Sequence, residues 1–193
     1  MPNIRDYLRG LLLVVVGTAM SLGGVVPAEA QADKPAEVAP RGQREATDIS
    51  YGRWQKLCFK PGGALRLCRT SITGRFATGQ IAVRLDVIER DDSQSARLQL
   101  FVPVGMYLQQ QPKLMIDQGT PFRLPYTWCL TNLCIAADVA PPKTIEDMTS
   151  GKALMLELVD SNLLALTTSV PLAQFAAAYK GAPAKTLEQY VEE

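Results

Sequence analysis

The chain of 193 residues has no histidine. That absence takes away the commonest general base and both the Ser-His and Cys-His nucleophile schemes. Cysteine is nearly as scarce: Cys58, Cys68, Cys129 and Cys134 are the whole set. The gaps within the two close pairs, nine and four residues, are not the two-residue knuckles of structural zinc sites, which otherwise lean on histidine. They also differ from the C-x-x-C of thiol oxidoreductases. "CLTNLC" lies among strand-like pieces, without the basic surroundings that lower a thiol pKa. An excess of charge of one sign is missing as well. Twenty Lys and Arg stand against 19 Asp and Glu, a net charge of +1. Nothing in that balance argues for nucleic acid or for an anionic membrane surface. No G-x-S-x-G motif and no Gly-rich phosphate loop occurs. The run "RDD" at 90–92 lacks the spaced ligands of a calcium loop and reads as a solvated hairpin tip. The residues therefore point to no enzyme, no metal site, no cofactor and no nucleic-acid partner.

One long apolar run does exist, at the start. Arg5 and Arg9 lead, residues 11–26 are apolar with interspersed Gly and Ser, and "PAEA" closes the run. This is the order of a secretory signal peptide, so residues 1–30 are expected to be removed, with cleavage after Ala30 or Ala32. A retained anchor would want about 20 apolar residues, and the strongly apolar part here is shorter. Membrane contact is expected only through the signal peptide or by peripheral association. The segment carries two basic and two acidic residues, so its loss leaves the net charge unchanged. Residues 31–48 are rich in Ala, Pro and charge and lack apolar periodicity. They are expected to form a flexible leader.

From Tyr51 the texture changes. In "QIAVRLDVIER" the residues Ile81, Val83, Leu85 and Val87 point one way, Arg84 and Asp86 the other. A period of two marks a half-buried strand. "RDDSQSA" is a polar turn, and Leu98, Leu100 and Val102 alternate again beyond it, so the two runs predict a hairpin. Leu154, Leu156 and Leu158 repeat the pattern, followed by the turn "DSN" and a returning strand. Pro121 and Pro125 break up the stretch between them and confine its pieces to edges or strand starts. Helix is sparse. "PKTIEDMTSG" predicts a short one with Thr144 as cap and Gly151 as stop. "PLAQFAAAYKG" predicts another, with Pro171 in its first turn and Gly181 at its end. The fold class is all-β: an antiparallel sandwich or barrel-like domain with one or two short C-terminal helices. It is expected to span residues 49–182, with 183–193 as a C-terminal helix or tail.

An exported chain meets an oxidising compartment, where disulfides persist. Four cysteines allow three pairings. Cys58 and Cys68 flank a Pro-Gly-Gly turn signal, and Cys129 and Cys134 flank "LTNL", with a turn-tolerant Asn132. Those turns favour the local pairs Cys58–Cys68 and Cys129–Cys134. Each staple is expected to contribute about 2–3 kcal/mol. Trp54 and Trp128 each closely precede a cysteine, and both are expected to pack against a disulfide in the core. A ligand-stacking surface is the alternative. The segment "PVGMYLQQQPKLMID" offers Met106, Tyr107, Gln109 and Met115 as a candidate edge for a protein partner. The plainer reading is a strand pair with a Gln-rich turn.

In their order along the chain, several fragments resemble the invasion-associated locus B family of exported α-proteobacterial proteins. They are "YGRWQKLC", "LRLCRT", "VPVGMYLQQQPKLMIDQGTPFRLPYTWCLTNLCIA", "GKALMLEL" and "SVPLAQFAAAY". The resemblance covers about residues 50–180. It is carried by Trp54 before Cys58, Pro103 and Gly105 as a "PxG" strand start, and Asp117 and Gly119 as a turn. Cys129 with Cys134, and a closing helix over Pro171–Tyr179, complete it. The closing segment reads "AQFAAAY" where the family pattern has Gly-Phe. The resemblance implies a periplasmic or outer-membrane-associated protein, linked in some pathogens to entry into host cells, with no catalytic residues to carry over. The expected function is that of an exported, non-enzymatic envelope protein acting through contacts with an unknown protein in the envelope or host. The competing reading is a periplasmic small-ligand or lipid-binding module that uses the sandwich interior or the "VPVGMYLQQ" edge.

Overall fold

The computed structural model describes residues 38–62 and 64–188. The expected signal peptide, 1–30, and the first part of the expected leader lie outside the described residues. Period-two alternation does produce strands, and they form two sheets. In the larger, β5 (Ile81–Arg90) and β6 (Ala96–Pro103) pair antiparallel, from Arg84 opposite Phe101 to Ile88 opposite Arg97. β4 (Leu67–Arg75) continues the sheet beside β5, and β10 (Leu133–Ala140) beside β6. β3 (Gln55–Lys60) then pairs with β4, and β9 (Tyr126–Cys129) with β10. β13 (Lys185–Glu188) adds parallel to β3, and β2 (Ser50–Tyr51) pairs with the far end of β4. The smaller sheet has the order β1 (Gly42–Glu45), β12 (Leu164–Pro171), β11 (Ala153–Val159), β7 (Lys113–Ile116) and β8 (Phe122–Arg123). The architecture is mostly β, mixed but largely antiparallel.

The apolar faces of the two sheets meet. Ile72, Leu85, Leu98 and Leu100 come from the larger sheet and Leu114, Leu154, Leu156 and Val170 from the smaller, all buried in one cluster. Each buried Leu or Ile contributes roughly 1.5–3 kcal/mol of apolar transfer. Two short helices, α1 (Pro142–Ser150) and α2 (Phe175–Lys180), add Met148 and Phe175 to the same core. The turn after β7 is built by Asp117. Its backbone is left-handed, and its carboxylate accepts hydrogen bonds from the Lys152 and Ala153 amides at 3.1 and 3.0 Å. The family-like Asp-x-Gly is thus a clamp between β7 and β11.

Several expectations need correction. Residues 42–45 of the expected leader form β1, parallel to β12, and residues 185–188 form a strand in place of a helix or tail. Both strands are exposed throughout and bury no apolar side chain. They join the sheets through the backbone ladder, which leaves no hydropathy signal. Thr144 lies inside α1 and does not cap it; the helix starts after Pro141, without a side-chain cap. Pro171 ends β12, so α2 begins only at Phe175. Gly151 and Gly181 do end the two helices, in extended conformation. At Gly151 a side chain would collide with Ile116 and the Asp147 carbonyl, which explains the residue without any need for left-handed backbone. Pro103 closes β6 and does not start a strand.

Candidate functional site

Each cysteine pair staples a hairpin, and the two surroundings differ. In the first, Cys58 faces Cys68 across β3 and β4 and is bonded to it. Both are buried. Trp54 is 6% exposed, donates its indole N–H to the Pro171 carbonyl at 2.8 Å and meets Phe175 edge-on at 4.8 Å. Phe175 stacks on Tyr179 at 5.2 Å. Lys56 donates to the Tyr179 carbonyl at 2.7 Å and pairs with Glu89 at 3.4 Å. Burial pushes the Tyr179 hydroxyl well above its usual range, and the neighbouring Glu89 carboxylate pushes the same way. Trp54, Lys56, Phe175 and Tyr179 are thus committed to packing α2 against this hairpin.

In the second hairpin Cys129 faces and bonds Cys134, and the Leu130 amide donates to the Leu133 carbonyl at 2.7 Å to close the turn. Cys134 is buried while Cys129 is exposed on the edge strand β9. The expectation that Trp128 packs in the core fails: it is 58% exposed. The strand parity explains why. Trp128 lies opposite Ile135, on the outward face of the sheet, one position out of phase with the bonded cysteines. Leu130 and Val139 are also more than half exposed nearby in the same hairpin.

That outward face carries further residues, of which the sequence marked Trp128 and the outward pair Arg84 and Asp86. Strand registers align Lys185, Leu57, Arg69, Ile88, Arg97 and Val139 as one row across six strands. A parallel row holds Thr73, Arg84, Phe101, Ile135 and Trp128. Between them sits Asp86, expected to be an ordinary outward residue. It is 1% exposed, because Arg84 grips both its oxygens at 2.8 and 2.7 Å and Arg69 stands 3.8 Å away. Arg69 lies over the Phe59 ring and Arg84 over the Phe101 ring, at 5.4 and 5.0 Å. Stacking and ion pairing hold both guanidinium planes in place. The signal was available in the sequence: "CRTSITG", "VRLDVIER" and "ARLQLFV" each place an arginine at an outward position, visible once the three strands are set in register.

Of the candidate residues, Met106, Tyr107 and Gln109 precede β7 and Met115 lies within it. Met106 bridges Asp160 and packs against the core, and the Tyr107 amide bonds to the Val159 carbonyl at 2.8 Å. The Tyr107 hydroxyl turns back to Gln109 at 3.1 Å. Met115 lies beside Met155 in β7, further along β11. The competing reading would use the sandwich interior. Among the described residues, the cavity between the sheets near Phe76, Met106, Leu158 and Leu166 measures about 80 Å³, against roughly 300–1,000 Å³ for small-molecule pockets. A larger cleft of about 540 Å³ lies between the β7–β8 turn and α1. Its Asp117 is committed to the turn, and its Lys143 to Asp147 at 3.0 Å. Among the described residues, no group of three or more Cys, Asp or Glu side chains is placed to hold a metal ion, and no helix is long and apolar enough to cross a membrane.

The two disulfides suit an oxidising, extracytoplasmic compartment. A family model described as "Invasion associated locus B (IalB) protein" matches residues 54–183. The crystal structure of invasion associated protein b from Bartonella henselae is similar in fold, with a TM-score of 0.60. Its sequence identity is 22%, over 67% of this chain and 90% of that one. A search of curated proteins returned no match.

Proposed function

The chain belongs to the invasion associated locus B family, and from that premise we propose that it is an exported, non-enzymatic envelope protein that works by binding other proteins. It reaches the periplasm or the outer membrane after loss of residues 1–30 and docks its partner on the outward face of the larger sheet. Host-cell entry, which the family's name invokes, is one setting for such a contact. The observation that carries the reading is Trp128: a large aromatic side chain, 58% exposed, on a hairpin held rigid by a disulfide. Aromatic and Arg anchors on fixed backbone are what protein interfaces concentrate.

A photo-crosslinking amino acid placed at position 128, in cells, tests this. Discrete protein adducts are expected at 128 and none at Ser169, an exposed position in β12 on the other sheet. Absence of adducts at 128, or the same adducts at both positions, overturns the proposal.

A further inference from the structure

We infer that the outward face of the larger sheet receives an extended acidic protein segment, laid across the strands with its carboxylates about three residues apart. The inference rests on the protein-contact reading above and names the partner's chemistry. It comes from the row Lys185, Leu57, Arg69, Ile88, Arg97 and Val139. Cation and apolar side chain alternate strand by strand along it. Neighbouring strands lie about 4.8 Å apart, so the three cations recur about every 9–10 Å. A polyproline-type segment rises about 3.1 Å per residue, which puts every third side chain about 9.3 Å on. A carboxylate at each third position then meets Lys185, Arg69 and Arg97 in turn, while the chain between them passes over Leu57 and Ile88.

The face has charge to spare for such a ligand. Among the outward positions of the larger sheet's described strands, Asp86 is the one carboxylate; Arg84 binds both its oxygens and Arg69 stands 3.8 Å from one of them, so Arg97 and Lys185 are not neutralised by it. Arg90, at the hairpin end, is matched by Asp92. Arg69 has no hydrogen-bond acceptor for its buried Nε among the described residues. Arg97 and Lys185 are exposed. The Arg69 guanidinium, held over Phe59, is preorganised for a carboxylate, so little of its side-chain entropy is lost on contact. Trp128, at the end of the row beyond Asp86, adds an apolar anchor to the same partner. A single line of cations separated by half-buried side chains fits one chain of carboxylates better than a flat anionic bilayer.

Isothermal titration of the mature protein tests this with four probes. They are a peptide with Glu at positions 1, 4 and 7 and Val, Pro and Leu between; the same composition with its Glu residues contiguous; a Glu-to-Gln version; and phosphatidylglycerol vesicles. The spaced peptide is expected to bind best, with affinity that falls as salt rises. Arg97→Gln and Lys185→Gln, both exposed and harmless to the fold, are each expected to weaken it about threefold to fivefold, and together about tenfold or more. Equal binding of spaced and contiguous peptides, binding of vesicles alone, or no saturation by about 1 mM peptide each overturns the inference. If those results come with adducts at position 128, the acidic-partner inference falls and the protein-contact reading stands. If adducts are missing as well, both fall.

Discussion

Two hairpins share one plan: antiparallel strands, cysteines facing each other, a tryptophan just upstream. The first, β3–β4, sits within the larger sheet, flanked by β13 and β5, and its tryptophan is buried beneath α2. The second, β9–β10, ends the sheet, and its tryptophan faces out. The difference is one of phase. Trp54 stands an even number of residues before Cys58 and shares its buried side; Trp128 stands next to Cys129 and takes the opposite side. The same motif therefore builds a core in one place and presents a surface in the other. A disulfide is consistent with both uses, since a rigid backbone serves packing and presentation alike.

Trp54→Ala and Trp128→Ala give the largest expected contrast. The first removes the edge-on contact with Phe175 and the bond to the Pro171 carbonyl, and should cost about 3–5 kcal/mol in denaturant unfolding. The second should stay within about 0.5 kcal/mol of the parent, while removing crosslinks to partners. Equal losses from the two variants would break the comparison.

Replacing both cysteines of a pair by Ala is the next test. Loop-closure entropy alone separates the two staples only slightly, about 2.7 kcal/mol for the separation of 10 residues and about 2.1 kcal/mol for 5. Packing separates them further. Cys58 and Cys68 are both buried, so their loss adds a cavity, whereas Cys129 lies exposed. The first double variant should therefore be the less stable by more than the entropy difference. Access predicts a kinetic counterpart in the parent protein, because thiolate attack needs a reachable sulfur. In glutathione buffer the Cys129–Cys134 bond should open first, as read by alkylation and mass spectrometry. Simultaneous opening of both bonds would mean that global unfolding, and not local exposure, controls reduction.

The same phase argument marks what the sequence could reveal. Alternation alone places Leu85, Leu98, Leu100, Leu154 and Leu156 in the core, and the structure has them there. The Pro-Gly-Gly and "LTNL" signals place the hairpin turns. The parallel edge strands β1 and β13 were not legible, because they bury nothing and depend on a distant ladder for their hydrogen bonds. The row of cations escaped for a related reason. Arg69 and Arg97 belong to different strands, and only the register through Ile88 brings them into line. Alternation puts Asp86 on the outward face but cannot show its burial, because Arg69 reaches it from β4.

The smallest expected effect compares how the two hairpins anchor their inner ends. Trp54 has a partner for its N–H, but the hydroxyl of Tyr126, which lies opposite Ala136 where the β9–β10 register shifts, is buried without a hydrogen-bond partner among the described residues. Burial alone pushes its pKa well above 10.0. Burial likewise raises Tyr51, against a smaller opposing effect of its bond to Thr168, and raises Tyr179 together with Glu89. A phenol whose pKa is higher in the folded than in the unfolded chain keeps its proton more tightly when folded. The stability this represents is complete below the unfolded value near 10 and is lost as pH climbs through the raised folded values. Stability should accordingly fall above about pH 10. Tyr126→Phe removes one such group together with an unsatisfied hydroxyl. At neutral pH it should be neutral or stabilising by up to about 1 kcal/mol, and its alkaline decline should be shallower than the parent's. Urea unfolding between pH 7 and about 11 measures both. A loss of stability at neutral pH would show that the Tyr126 hydroxyl has a hydrogen-bond partner in solution, and the second hairpin would then be anchored much as the first is.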